Sequence, residues 1–102
     1  MVFINILDHV EKCYSNADGD VIYYEIKKAF DHNSPVTVSF KGVTSLNSSF
    51  VNSAFIELLN DFDFSYIRQN LKFTNSTAQI NSIIKNRFSF EVNKKNRLAV
   101  AF

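Results

Sequence analysis

The chain has 102 residues, a length that predicts one domain over 1–102 and burial of roughly two thirds of the surface its unfolded form exposes. Hydrophobic residues make up 46% and charged residues 21%, which excludes a disordered tail or a polyelectrolyte. Net charge is +1 but unevenly spread: residues 1–67 carry nine acids against four lysines, whereas 68–102 carry seven cations against the single Glu91.

In chain order, the apolar run Val2 to Leu7 predicts an opening strand. His9 to Ser15 reads as a further edge segment, and Asn16-Ala17-Asp18-Gly19-Asp20 as a turn and N-cap from which a helix starts. Ile22, Ile26, Ala29 and Phe30 fall on one face of that helix, which Asn33-Ser34-Pro35 ends. Val36, Val38 and Phe40 alternate with Thr37 and Ser39, a short strand stopped by Lys41-Gly42.

After a turn at Val43 to Leu46, the candidate caps Asn47, Ser48 and Ser49 precede the clearest amphipathic helix. Its core stripe is Phe50, Val51, Ala54, Phe55, Leu58, Leu59 and Phe62. A strand follows at Asn70 to Thr74. Asn75 or Ser76 then caps a third helix that turns Ile80, Ile83, Ile84 and Phe88 inward. Phe88 to Val92 and Arg97 to Phe102 both alternate, favouring a terminal hairpin over continuation of that helix. The expected fold class is α/β, a mixed sheet of four to five strands with about three helices on it.

The chemistry-bearing residues point away from catalysis. Cys13 is the only cysteine, so it forms no intrachain disulfide, and the reducing cytoplasm is the expected compartment. No apolar run is long enough for a signal peptide or a membrane span. His9 and Cys13 are four apart, but no oxyanion-forming Gly loop accompanies them, and burial of Cys13 is the simpler reading. Glu57, Asp61 and Asp63 lack the convergence of a metal cage, and with Gly19 and Gly42 as the only glycines no loop cradles phosphate. No cofactor, metal or enzyme activity is expected. The cluster Lys94, Lys95 and Arg97 is too small for a phosphate track, so nucleic acid is disfavoured as partner.

The helix after Asn47 carries a second stripe, Ser49, Ser53, Ile56 and Asn60, opposite its core residues. It is small and uncharged except for one exposed branched aliphatic, Ile56, a surface that desolvates at low cost. With Asn47 and Asn52 it forms the candidate partner-binding face.

The run Pro35 to Asn60 resembles the core of STAS domains, the fold of anti-sigma-factor antagonists and sulfate-transporter tails, in which a strand leads to Asp-Ser-Ser/Thr-Gly at the start of a helix. Asn47-Ser48-Ser49-Phe50 occupies that motif, with Asn47 in the place of its Asp and Phe50 in the place of its Gly. The sequence is most similar to the STAS-like family of bacterial proteins, through Gly19, Val36 to Phe40, Ser48-Ser49-Phe50 and Asn75-Ser76 in order.

The resemblance implies a single STAS-like domain and a non-enzymatic, regulatory protein-binding role. It places a phosphorylated switch serine at Ser48 and suggests a histidine-kinase-type ATPase or anti-sigma-like protein as partner. A different class of reading is a small mobile-element or phage inhibitor that binds a host protein or nucleoprotein complex, using the basic C-terminal third. Self-association is compatible with either.

Overall fold

The computed structural model describes the backbone of residues 1–100 and the side chains of residues 1–94. Three parallel strands, β1 (Val2–Asn5), β2 (Val36–Ser39) and β3 (Leu71–Thr74), form a sheet in the order β1-β2-β3. Val2, Val36 and Leu71 stand in register, as do Ile4, Val38 and Phe73. Four α-helices complete the fold: α1 (Asn16–Asp31), α2 (Ser48–Ala54), α3 (Phe64–Asn70) and α4 (Ala78–Val100).

The alternation in β2 explains the layering. Val36, Val38 and Phe40 face the helices with Ile4, Leu71 and Phe73. Phe55 at the end of α2 meets both Phe40 and Phe73 edge to face, with ring centroids 6.2 and 5.2 Å apart, which fixes α2 on that face. The opposite face holds Phe3, Thr37, Ser39, Lys72 and Thr74, of which Phe3, Lys72 and Thr74 are exposed. Parallel sheets are usually covered on both faces and read as continuous apolar runs. β2 is buried along its whole length, Thr37 and Ser39 included, whereas Phe3, Lys72 and Thr74 of the flanking strands are exposed on that face. Ser39 Oγ is occupied there, accepting from Asn75 Nδ2 (3.0 Å) and from the Lys41 amide (3.2 Å).

α1 begins one residue earlier than the turn signals suggest, because Ser15 is the cap: its hydroxyl accepts from the Asp18 amide at 3.1 Å. The helix ends in a 6→1 hydrogen bond from Ser34 N to Ala29 O, with Asn33 in the left-handed region at φ 57°, just before Pro35. Ile22, Ile26, Ala29 and Phe30 are buried as their spacing predicts. Near its start, α1 crosses α2 at Gly19. A Cβ added there would stand 2.7 Å from both the Phe50 carbonyl oxygen and the Ser53 Cβ, so only glycine fits.

The sequence reading needs correcting at several elements. His9 to Ser15 is not a strand; a 3-10 turn at Ile6–Asp8 leads into irregular chain that buries Val10 and Cys13. The helix after Asn47 is broken: α2 stops at Ala54, Phe55 leaves helical geometry (φ −123°, ψ −45°), and a 3-10 segment continues over Ile56–Asn60. A fourth helix, α3, follows Asp63, whose chain direction a stripe running only to Phe62 does not reveal.

The last correction is at the C-terminal end. Phe88 to Val92 lie within α4 and that helix runs on to Val100, so there is no terminal hairpin there, while positions 101–102 lie outside the described residues. Ile80, Ile84 and Phe88 at helical spacing against the core decide for helix. Among the described residues the sheet therefore has three strands, all parallel, rather than a mixed set of four or five, and there are four helices rather than three. The cap of α4 is Thr77, whose hydroxyl accepts from the Ile80 amide at 3.1 Å, not Asn75 or Ser76.

Two substitutions test this arrangement by urea denaturation. Phe55→Ala empties the contact point of Phe40, Phe50 and Phe73 and is expected to cost about 3 to 5 kcal/mol. Gly19→Ala, which in an open helix would gain up to about 1 kcal/mol, is expected instead to lose about 1 to 3 kcal/mol through overpacking; a stabilised Gly19→Ala would disprove the close crossing.

Candidate partner-binding site

The candidate residues are distributed along α2 and the 3-10 segment after it, and the structure separates them into three groups. Asn47 is the N-cap of α2. Its Oδ1 accepts from the Phe50 amide at 3.0 Å, while its Nδ2 donates to Tyr14 O at 2.8 Å and its own amide to Cys13 O at 3.2 Å. An amide side chain does here what a carboxylate could do only in part, because it donates to the 13–14 chain as well as capping the helix. Ser48 and Ser49 are exposed in the first turn, and Phe50 is fully buried against Phe55.

Ser53 corrects the sequence reading. It is only 7% exposed, lies beneath α1 at the Gly19 crossing, and donates from Oγ to Asn16 Oδ1 at 3.0 Å. Its small size answers to the proximity of α1 rather than to a partner. Ile56 is likewise not an isolated outward aliphatic but half-buried against the core.

The third group does come together. Asn52, Ile56 and Asn60 line a hollow of about 290 Å³ between α2, the 3-10 segment and α4, with Glu57, Leu59, Arg87 and Glu91 completing its wall. Arg87 organises it: Nε donates to Asn52 Oδ1 at 2.8 Å, and Nη2 pairs with Glu91 at 3.0 Å. Its guanidinium also lies 5.3 Å from the centroid of Phe90, within cation–π range. Asn60 Nδ2 donates to Glu57 Oε2 at 3.1 Å on the rim. Arg87 and Glu91 were not among the sequence candidates, although their i, i+4 spacing is the signal of a helical ion pair once the segment is read as helix.

Tyr23, Asp61 and His32 have structural employment. Asp61 accepts from the Tyr23 hydroxyl at 2.7 Å; burial first, and this bond and charge second, push that phenol up to about 12. His32 closes α1, its Nδ1–H donating to Lys28 O at 2.8 Å. His9 is exposed and Cys13 buried, in a segment that is not helical, so the two do not share a helix face. Among the described residues no group of three or more His, Cys, Asp or Glu side chains converges as a metal site. Also among them, no helix is long and apolar enough to cross a membrane.

A family model described as a STAS-like domain of unknown function (DUF4325) matches residues 18–81. The chain belongs to this STAS-like family. The match runs from the α1 crossing glycine through β2, α2 and β3 into the first turn of α4, so the Asn47–Asn60 segment lies wholly within the family's own region. No curated protein and no solved structure matches the chain.

Burial, with a further push from the Asp18 carboxylate, raises the Cys13 thiol from an ordinary value near 9.0 to about 11. The unfolded chain ionises first as pH rises, so this contribution to stability is intact below about pH 9 and is lost progressively by about pH 11. A rise of that size corresponds to about 2 to 3 kcal/mol. Urea midpoints measured across this window are expected to fall more steeply for the wild type than for Cys13→Ala, in which the Tyr23 contribution between about pH 10 and 12 and that of Lys27, raised by its bond to Asp31, remain.

Proposed function

We propose that the chain is a non-enzymatic regulatory module that binds a protein partner along the exposed side of α2 and the hollow that the following 3-10 segment forms with α4. The observation that carries this reading is the grouping of Asn52, Ile56 and Asn60 around one hollow, one turn on from the exposed Ser48 and Ser49, within the STAS-like region of the chain. Such a surface offers two half-buried aliphatics, Ile56 and Leu59, and a ring of neutral amides and hydroxyls, with the Arg87–Glu91 ion pair already satisfied internally. It can be dehydrated at low cost up to its edge, where the exposed Glu57 carboxylate accepts from Asn60 and stays in solvent.

The role is similar to that of an anti-sigma-factor antagonist, with a histidine-kinase-type ATPase or anti-sigma-like protein as the partner class and Ser48 as the switch. Ser48 is the first residue of α2 and exposed. Phosphate there meets no acidic side chain in the first turn, so it is compatible with the folded chain, and its charge falls on the contact with the partner. Binding rather than catalysis is supported by Cys13, the one thiol, which is buried and held protonated at neutral pH.

The test uses the protein that co-purifies with the tagged chain from its native cells, titrated calorimetrically against wild type, Ser48→Asp and Asn60→Lys. Both substitutions are at exposed positions and are expected to weaken the complex about tenfold or more while thermal stability stays nearly constant. Wild-type affinity in both variants would exclude this surface. A loss confined to Asn60→Lys would keep the docking face and discard the switch.

A further inference from the structure

On the other side of α4 lies a larger and more apolar feature. Phe64 and Ile67 of α3, Leu71 and Phe73 of β3, and Ile84 and Phe88 of α4 line a groove of about 440 Å³, a volume within the range of roughly 300–1,000 Å³ typical of ligand clefts. Two cations, Arg68 and Lys85, stand in its wall, and both are exposed. No Asp or Glu occurs anywhere from Phe64 to Phe90. Among the described residues, the ion pairs are Lys27–Asp31, Lys28–Glu25 and Arg87–Glu91, so Arg68, Lys72 and Lys85 are all without an ion-pair partner there.

The groove is lined by Leu71 and Phe73 of β3, one of the two edge strands of the sheet. The outward backbone amides and carbonyls of an edge strand form a template for another strand, and here pairing begins past the Leu71 amide, which is already bonded to Ile67 O. Side chains of β3 alternate beside it: Leu71 and Phe73 turn into the groove, while Lys72 stands exposed on the opposite face. An added strand would therefore meet apolar surface on one side and a cation on the other.

We propose that this edge and groove receive an extended acidic segment of a protein partner. The segment adds beside β3, its alternate apolar side chains enter the groove, the carboxylates between them face Lys72 on the opposite side, and a carboxylate flanking the apolar run meets Arg68 and Lys85 in the groove wall. The strands of a second copy of the chain do not supply it, because β1, β2 and β3 contain no acidic residue. Single-stranded nucleic acid fits poorly, since base stacking needs free ring faces. Phe88 is buried and tilted against Phe64 at 5.6 Å, and Phe73 is taken up by Phe40 and Phe55. This surface is separate from the α2 hollow and does not depend on it.

The experiment selects peptides from a random 12-residue display library on the wild-type chain, with counter-selection on Ser89→Trp, which blocks the groove from an exposed wall position. Enriched peptides should alternate apolar and acidic residues. Their affinity should fall tenfold or more in Arg68→Glu/Lys85→Glu and on N-methylation of alternate peptide amides, and stay unchanged in Asn60→Lys. Thermal melts confirm that the variants are folded. Absence of enrichment, peptides without acidic excess, or indifference to charge reversal or to N-methylation would overturn the proposal, as would displacement of the peptides by a dT15 oligonucleotide at comparable affinity.

Discussion

At Gly19 the backbones of α1 and α2 approach so closely that a single methyl group would collide with a carbonyl oxygen and a serine side chain. Much of the molecule follows from that contact. It holds α1 against α2, which places Ser53 out of solvent with Asn16 as its partner. It also positions the start of α2 near the irregular chain at 13–14, where Asn47 joins the two segments through both ends of its side-chain amide. A shorter distance between helices also brings Ile22 and Ile26 into a core already dense with phenylalanine.

The aromatic cluster sets the second limit. Phe40, Phe50, Phe55 and Phe73 meet in tilted or edge-on contacts with centroids 5.2 to 6.2 Å apart, the spacing such pairs prefer. Phe55 reaches Phe40 and Phe73 at the position where α2 leaves helical geometry, and the tighter 3-10 segment that follows re-aims Ile56 and Asn60 toward α4. The break in the helix and the hollow beside it thus have a common origin. α4 then separates two surfaces of different character: Arg87 and Glu91 face the amide-lined hollow, and Ile84, Lys85 and Phe88 the apolar groove.

Periodicity made the central elements legible. The V-T-V-S-F alternation states both the strand and the fact that one face of it is polar, and the buried positions of α1 and α4 are those their spacing selects. What escaped the sequence depended on distant neighbours. Ser53 looks like a surface residue until the opposing glycine of α1 is known to lie against it. Phe88-Ser89-Phe90-Glu91-Val92 alternates like a strand, yet tertiary contacts of Ile80, Ile84 and Phe88 select the helix. With that helix in place the Arg87–Glu91 pair and its bond to Asn52 become visible, which is why the α4 wall of the candidate hollow was missing from the linear reading.

The all-parallel sheet also governs how the chain reaches this structure. Val2 pairs with Val36 and Val36 with Leu71, so every strand pairing spans more than thirty residues and none can close as a hairpin. Each must wait for its crossover helix to compact the intervening chain, and loop-closure entropy is met before any ladder bond forms. Helix pairing across the Gly19 crossing is itself non-local, joining α1 to α2 around β2. Helix docking and strand pairing thus close loops of similar length and meet a similar entropic cost.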